Sequence, residues 1–428
     1  MKKLLLLTAI VGSLWTSNAN AQDVLTLGVN DSISYTLKNY TGTATNVTVV
    51  IPAGYTNPEF TKGKGIDLSV MPTTITDLTI QGAGSTKDTL LMKVFTLPVR
   101  ALNSFTVKNL YMSAVNELTA GTNYTALMGN YIMNVTTAIN VTNLSFVNCG
   151  MSNYRGIVRL QSGVPTVTNI SFDKCLIRNI GYAGGSYSLV NPNSGTVSSI
   201  SLTNSYVYGF NGTFLPLSVI AASNTTVTID KCVFDQMCQG KTGLYLIDYG
   251  STAVTTGSQT VTVTNSIFGR AGASSKGIRT SNASAVTNYS GNYATKEWYT
   301  NVISNKFTVS GYLKAAAVAD TGYVADLFKN PTVYDAVNYT SSYGDYSIKD
   351  VTFTGSIPSA VHNPIASTSI KFNGSEIVLS EATEIKVYSI NGLLLNSAKQ
   401  VNSLSVANLQ KGIYIVKAGT AVQKFIVR

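Results

Sequence analysis

Six stretches of the chain share one pattern of apolar and polar positions. They read FTVKNLYM from Phe105, LSFVNCGM from Leu144, ISFDKCLI from Ile170, ISLTNSYV from Ile200, VTIDKCVF from Val227 and VTVTNSIF from Val261. Positions one and three are apolar, as strand alternation requires. Position five is Asn or Lys, and the inward type resumes at positions six and eight, so the period of two slips by one residue. An uninterrupted strand cannot slip, because a one-residue shift turns every following side chain to the other face. A sharp bend between two short strands can, and Asn tolerates the left-handed backbone that such a bend needs. The bend residues are Asn109, Asn148, Lys174, Asn204, Lys231 and Asn265. Stacked at the strand spacing of about 4.8 Å, the Asn side chains would form an amide ladder.

The starts of these segments are 39, 26, 30, 27 and 34 residues apart. Most spacings are too short for a four-stranded propeller blade and suit one coil of a parallel solenoid. A third strand per coil is expected at IVRLQ from Ile157, YSLVN from Tyr187, LSVIA from Leu217, LYLID from Leu244 and GIRTS from Gly277. Three strands per coil close a prism whose two ends need caps. Position six holds Leu110, Cys149, Cys175, Ser205, Cys232 and Ser266. This is a column of small or apolar side chains pointing inward. Cys149 and Cys175 would be neighbours there, as a disulfide that export permits or, in the preferred reading, as stacked buried thiols.

The ends of the chain differ in style from the repeat. Lys2 and Lys3, the apolar run from Leu4 to Trp15 and Ala19-Asn20-Ala21 make residues 1–21 a secretory signal peptide. Losing its two Lys takes the formal charge from +10 to +8. Charged residues are only 12 % and hydrophobic ones 44 %, which excludes a disordered polyelectrolyte. The single His362 excludes a His-based triad or a multi-His metal site within one chain. No later stretch is apolar for the length of a membrane helix, and no nucleic-acid or phosphate-loop motif is present. Near the C-terminus, EIKVYSI from Glu384 is followed by Asn391-Gly392 and LLLN, a hairpin signal. Strands follow at Leu404, Gly412 and Val422.

The bend ladder, Ile51-Pro52-Ala53-Gly54-Tyr55 and Thr79-Ile80-Gln81-Gly82 resemble the pectate-lyase-like family of right-handed parallel β-helices. Leu327 to Pro331 and Asp345 to Asp350 resemble the closing segment of secreted, uncharacterised members. The tail resembles the C-terminal sorting domain of the type IX secretion system of gram-negative bacteria. The matching residues are Val387-Tyr388, the run from Leu409 through Gly412 to Lys417, and the ending Lys424 to Arg428. The expected fold is all-β: a right-handed single-stranded parallel β-helix with an N-terminal cap over residues 22–355, a linker over 356–368, and a small immunoglobulin-like β-sandwich of about seven strands over 369–428. The tail implies secretion, to the outside or to the outer-membrane surface, with the type IX machinery as partner. Asp31-Ser32-Ile33 and Asp88-Thr89-Leu90 resemble the O-glycosylation acceptor motif of such bacteria.

Fold resemblance leaves chemistry open. Lyases and hydrolases of this shape use clustered carboxylates, calcium, or Lys and Arg. Asp173 and Asp230 share the outward fourth position but stand two coils apart, about 9–10 Å. With Asp235 and Asp248 they read as a solvated acidic face, and no metal site or cofactor is expected; calcium would need a carboxylate cluster that the spacing does not supply. Arg155, Arg159, Lys174 and Arg178 fall on two consecutive coils, with Tyr206 and Tyr208 near in register. These are the candidate substrate-binding residues, since guanidinium matches a sugar carboxylate bidentately and Tyr can stack on a ring. The expected function is non-catalytic binding of extracellular polysaccharide. The alternative is a polysaccharide lyase, pectate-lyase-like, or a glycoside hydrolase acting on uronate-containing glycans.

Overall fold

A computed structural model describes residues 22–84, 88–114, 131–136, 139–181, 187–315, 328–330, 345–348, 351–353, 370–390, 393–418 and 421–427. The expected signal peptide, the linker, His362 and the Asn391-Gly392 turn lie outside the described residues. The chain divides into two compact units, Met1–His362 and Asn363–Arg428.

The first unit is a β-solenoid of stacked parallel coils. Sheet one has ten strands, from Gln22–Thr26 to Val286–Ser290, all parallel. Its register is the one the six segments predict: Phe105 opposite Leu144, then Ile170, Ile200, Val227 and Val261. Sheet two also has ten strands and continues each coil beyond the bend. Its residues Tyr111, Gly150, Leu176, Tyr206, Val233 and Ile267 stand side by side. All six bend residues between these sheets have φ between 49° and 55°, and Gly291 takes the same place in the next coil with φ 65°. A left-handed residue reverses the facing of the side chains that follow it, so positions one, three, six and eight all point inward.

The interior is filled in columns. Phe146 stacks on Phe172 with ring centroids 5.1 Å apart, and Phe234 on Phe268 at 5.0 Å, each pair on adjacent coils in register. Position six is buried from Leu110 to Ser266. All four cysteines are buried thiols, which corresponds to the stacked-thiol reading of Cys149 and Cys175.

The third side is two shorter sheets. The first holds Ile66–Asp67, Phe95–Thr96, Tyr131–Thr136, Gly156–Ser162 and Val190–Asn191; the second holds Leu215–Pro216, Tyr245–Asp248, Ser275–Arg279 and Val302–Ser304. Here the expected alignment needs correction. Val158 pairs with Val190, two residues beyond the predicted Ser188, and Ser218–Ile220 is a 3-10 turn where a strand was expected. Insertions of different length precede this side of each coil, and no conserved bend residue fixes its phase.

At the N-terminal end, the helix Ile33–Lys38 is capped by Ser32, whose Oγ accepts from the Tyr35 N–H. Its Ile33 and Leu37 are fully buried in the same core as the coils. At the other end, Val351–Phe353 pairs antiparallel with Gly311–Ala315, and Phe328–Asn330 with Asp345–Ile348.

The second unit is an antiparallel sheet of five strands among the described residues: Ile370–Phe372, Glu376–Ser389, Leu394–Ser405, Gly412–Ala418 and Ala421–Val427. The expected count of about seven falls to five because two long strands run on through shifts in register. Glu376–Ser389 pairs with Ile370–Phe372 at its start and with Gly412–Ala418 at its end. The sheet curls toward closure, with Phe372 and Phe425 of opposite edges 4.8 Å apart. Its core is Ile377, Leu379, Ile385, Val387, Val406, Val416, Ala418 and Phe425.

Candidate functional site

The outer face of sheet one is flat and carries small polar side chains. One column reads Thr48, Thr79, Thr106, Ser145, Ser171, Ser201, Thr228 and Thr262. These groups bond to one another along the axis: Ser171 Oγ donates to Ser145 Oγ (2.9 Å), Asn169 Nδ2 to Asn143 Oδ1 (2.9 Å) and Ser199 Oγ to Asn169 Oδ1 (2.7 Å).

The bend ladder is not the continuous amide stack expected. Asn148 Nδ2 does donate to Asn109 Oδ1 (3.0 Å). Lys174 and Lys231 interrupt it, and there the next coil's Asn turns to a carboxylate instead. Asp173 Oδ1 accepts from Thr203 Oγ1 and Asn204 Nδ2, both at 2.7 Å. Asp230 Oδ1 accepts from Thr264 Oγ1 (2.6 Å) and Asn265 Nδ2 (2.8 Å). Both carboxylates are therefore committed to joining coils.

The outer face of sheet two, in contrast, is buried. Tyr111, Leu176, Tyr206, Val233 and Ile267 at position seven are all 2 % exposed or less, as are Ser113, Ser152, Arg178, Tyr208 and Asp235 at position nine. A second column of bends follows: Asn153, Asn179, Gly209 and Gln236, at position ten, have φ from 53° to 66°. The Tyr111 ring lies over Gly150, where a Cβ would sit 2.0 Å from a ring carbon. Its hydroxyl donates to Ser152 Oγ (2.6 Å) and accepts from Arg178 Nε (2.9 Å). Asp235 is fully buried and holds Arg270 through Nε (3.1 Å), a second guanidinium nitrogen (2.8 Å) and its backbone N–H (2.7 Å). The expected solvated acidic face thus does not include Asp235. Asp248 likewise pairs with Arg279, at 2.7 Å.

The candidate binding residues consequently separate. Arg178, Tyr206 and Tyr208 are buried on sheet two and present no surface to a polymer. Lys174 is exposed at the bend between sheets one and two. Arg155 and Arg159 are half-buried and belong to the third side. Arg155 bonds the Tyr187 hydroxyl, with its guanidinium 4.2 Å from that ring's centroid. Arg159 lies 5.8 Å from the Tyr131 ring centroid. In register on either side of it stand Asn134 and Asn191. Arg159 Nε is buried, and among the described residues its guanidinium makes no hydrogen bond or ion pair. Asn134 and Asn191 are the members that sequence reasoning missed. Their signal is the residue after Met133 and after Val190, the positions in register with Val158.

Of the two expected glycan acceptors, Thr89 is exposed on Asp88–Leu91, whereas the Ser32 hydroxyl is engaged as a helix cap.

Residues 363–428 match the family model described as the secretion system C-terminal sorting domain. The tail is a type IX sorting domain, and the chain is one exported to the cell surface or outside. No helix among the described residues is long and apolar enough to cross a membrane. No curated protein matches the chain.

Proposed function

We propose that this exported β-helix binds acidic extracellular polysaccharide on its third side, without turning it over. The observation that carries this reading is Arg159. Its guanidinium is half-buried against an aromatic ring, flanked about 4.8 Å away on each side by an amide, and has no anionic partner among the described residues. A partly desolvated Arg is well suited to a planar carboxylate or a sulfate, which it can meet with two parallel N–H bonds. The amides of Asn134 and Asn191 donate to Gln161 Oε1 and the Tyr131 hydroxyl, which leaves each one further amide hydrogen for a ring oxygen or hydroxyl. The formal charge, +10 for the whole chain and +8 without residues 1–21, favours an acidic polymer over a neutral one.

Turnover, as a lyase or hydrolase, is the competing reading. Acid–base cleavage of a glycan uses carboxylates open to the sugar. Asp173 and Asp230 instead each hold two donors of the next coil on Oδ1, and Asp235 is fully buried with Arg270.

The test is retention on immobilised uronate polysaccharide. Arg159→Ala is expected to weaken retention about tenfold, the loss of one charge-assisted hydrogen-bond pair. Arg159→Lys is expected to recover only part of it. Unchanged retention in Arg159→Ala sinks the binding reading. Growth of ultraviolet absorbance from unsaturated products sinks the non-catalytic part.

A further inference from the structure

At the N-terminal end of the solenoid, three strands along the third side from the Arg159 patch, a cavity of about 320 Å³ opens between the helix Ile33–Lys38 and the short helix Pro58–Thr61. That volume is at the small end of ligand pockets, suited to one sugar unit. Among its walls are Tyr35, Lys38, Glu59, Lys62, Lys64 and Asp67.

Glu59 is the unusual member, because it is only 9 % exposed. Its Oε1 accepts from Ser32 Oγ (2.5 Å) and the Ser34 N–H (3.0 Å). Its Oε2 is buried and accepts nothing among the described residues. A buried carboxylate oxygen left without a donor is costly unless something supplies one. None of the three lysines around the cavity is ion-paired to Glu59. Asp67, the other acid, spends Oδ1 on the Ser69 N–H and hydroxyl. Tyr35, a large ring 68 % exposed, lines the cavity.

We infer that this cavity is a second ligand site, for a single acidic sugar unit. On binding, the side chains that cover Glu59 Oε2 would part so that a ring hydroxyl donates to it, the sugar's carboxylate or sulfate would face Lys38, Lys62 and Lys64, and the ring would lie against Tyr35. The lysines select the anionic group, and the buried carboxylate requires a hydroxyl donor on the same small molecule. A neutral sugar satisfies only Glu59, and a simple anion only the lysines. The site rests on the reading that the exported chain meets acidic glycan, but it uses none of the residues around Arg159.

The experiment is titration of the full chain with glucuronate, glucose and a uronate oligosaccharide, followed by saturation-transfer NMR or calorimetry. Glucuronate is expected to bind and glucose to bind at least tenfold more weakly. Glu59→Gln and Tyr35→Ala are each expected to weaken glucuronate at least tenfold, and the Lys62→Ala/Lys64→Ala pair likewise. Tyr35 is exposed, so its variant remains informative if Glu59→Gln disturbs the cap. The losses in Tyr35→Ala and in the Lys62→Ala/Lys64→Ala pair are expected to persist in an Arg159→Ala background, where the third-side patch no longer contributes. An oligosaccharide that binds more tightly than the monosaccharide assigns the site to a chain end; equal affinity assigns it to a single unit. The proposal falls if glucose matches glucuronate, or if Tyr35→Ala and the double lysine variant bind as the parent does. Loss of polymer retention in Arg159→Ala with no glucuronate binding anywhere rejects the cavity alone. Glucuronate binding with polymer retention untouched by Arg159→Ala rejects the third-side patch alone.

Discussion

Asn204 Nδ2 donates to Asp173 Oδ1 at 2.7 Å, from one coil to the one before it, while Asn204 itself sits in the left-handed region with φ 49°. One residue therefore both turns the chain and ties two coils together. The roles are separable. Asn204→Gly keeps the backbone conformation and loses the amide, and is expected to cost about 1 kcal/mol. Asn204→Ala loses both, and is expected to cost about 2–3 kcal/mol, since a left-handed residue with a Cβ adds about 1–2. Urea unfolding of the two variants checks the order; equal costs would mean that the backbone term is absent.

Asp235 and Arg270 form the most desolvated ion pair described here, with the Asp235 side chain fully buried. Removing either partner strands a buried charge. Asp235→Ala and Arg270→Ala are each expected to cost about 3–5 kcal/mol, and the double variant less than their sum. Additive losses in thermal unfolding would show that the pair is not coupled.

The buried thiols give a chemical readout of the core. Desolvation pushes Cys238 up to about 12 and raises Cys232 further, the latter despite a hydrogen bond from the backbone at Ser205. Thiolate is the reactive form, so iodoacetamide at pH 8 is expected to modify none of the four cysteines in the folded protein and all four in denaturant. Rapid labelling of Cys232 or Cys238 without denaturant contradicts the packing.

Stability is expected to fall at high pH. Burial raises Tyr55, Tyr154, Tyr206 and Tyr249 above the ordinary 10.0. Below pH 10 these phenols are neutral in both folded and unfolded chains, and the stability they contribute is fully present. Above pH 10 the unfolded chain releases protons that the folded one keeps, so stability drops as pH rises. The urea midpoint should decline steadily above pH 10, with part of the tyrosinate absorbance appearing only on unfolding. A midpoint flat to pH 12 would be incompatible with this burial.

The two bent sheets were legible because their signal is a change of phase. Six segments aligned without gaps give the pairing of Leu144 with Ile170 and of Ile170 with Ile200 residue for residue. The third side was not, since nothing like the Asn bend pins Val158 to Val190 across loops of unequal length. The candidate site suffered from a different loss. Arg178, Tyr206 and Tyr208 occupy outward positions of sheet two, whose outer face is buried. Position seven carries the sign of this burial: Tyr111, Leu176, Tyr206, Val233 and Ile267 are bulky and mostly apolar. Apolar residues on both faces mark a sheet buried on both sides. Glu59 left no trace in the sequence, because its isolation depends on the helix Ile33–Lys38 folding over it.

Along the axis, Asp-Lys-Cys at 173–175 and 230–232 alternates with Thr-Asn-Ser at 203–205 and 264–266. Ser205 Oγ receives the Cys175 N–H and Ser266 Oγ that of Cys232, just as the carboxylates receive the neighbouring amides. The natural module of this stretch is accordingly a doublet. Excising one member would set like beside like, Asp173 against Asp230 with a Lys in place of the Asn amide, whereas excising a doublet would restore every seam.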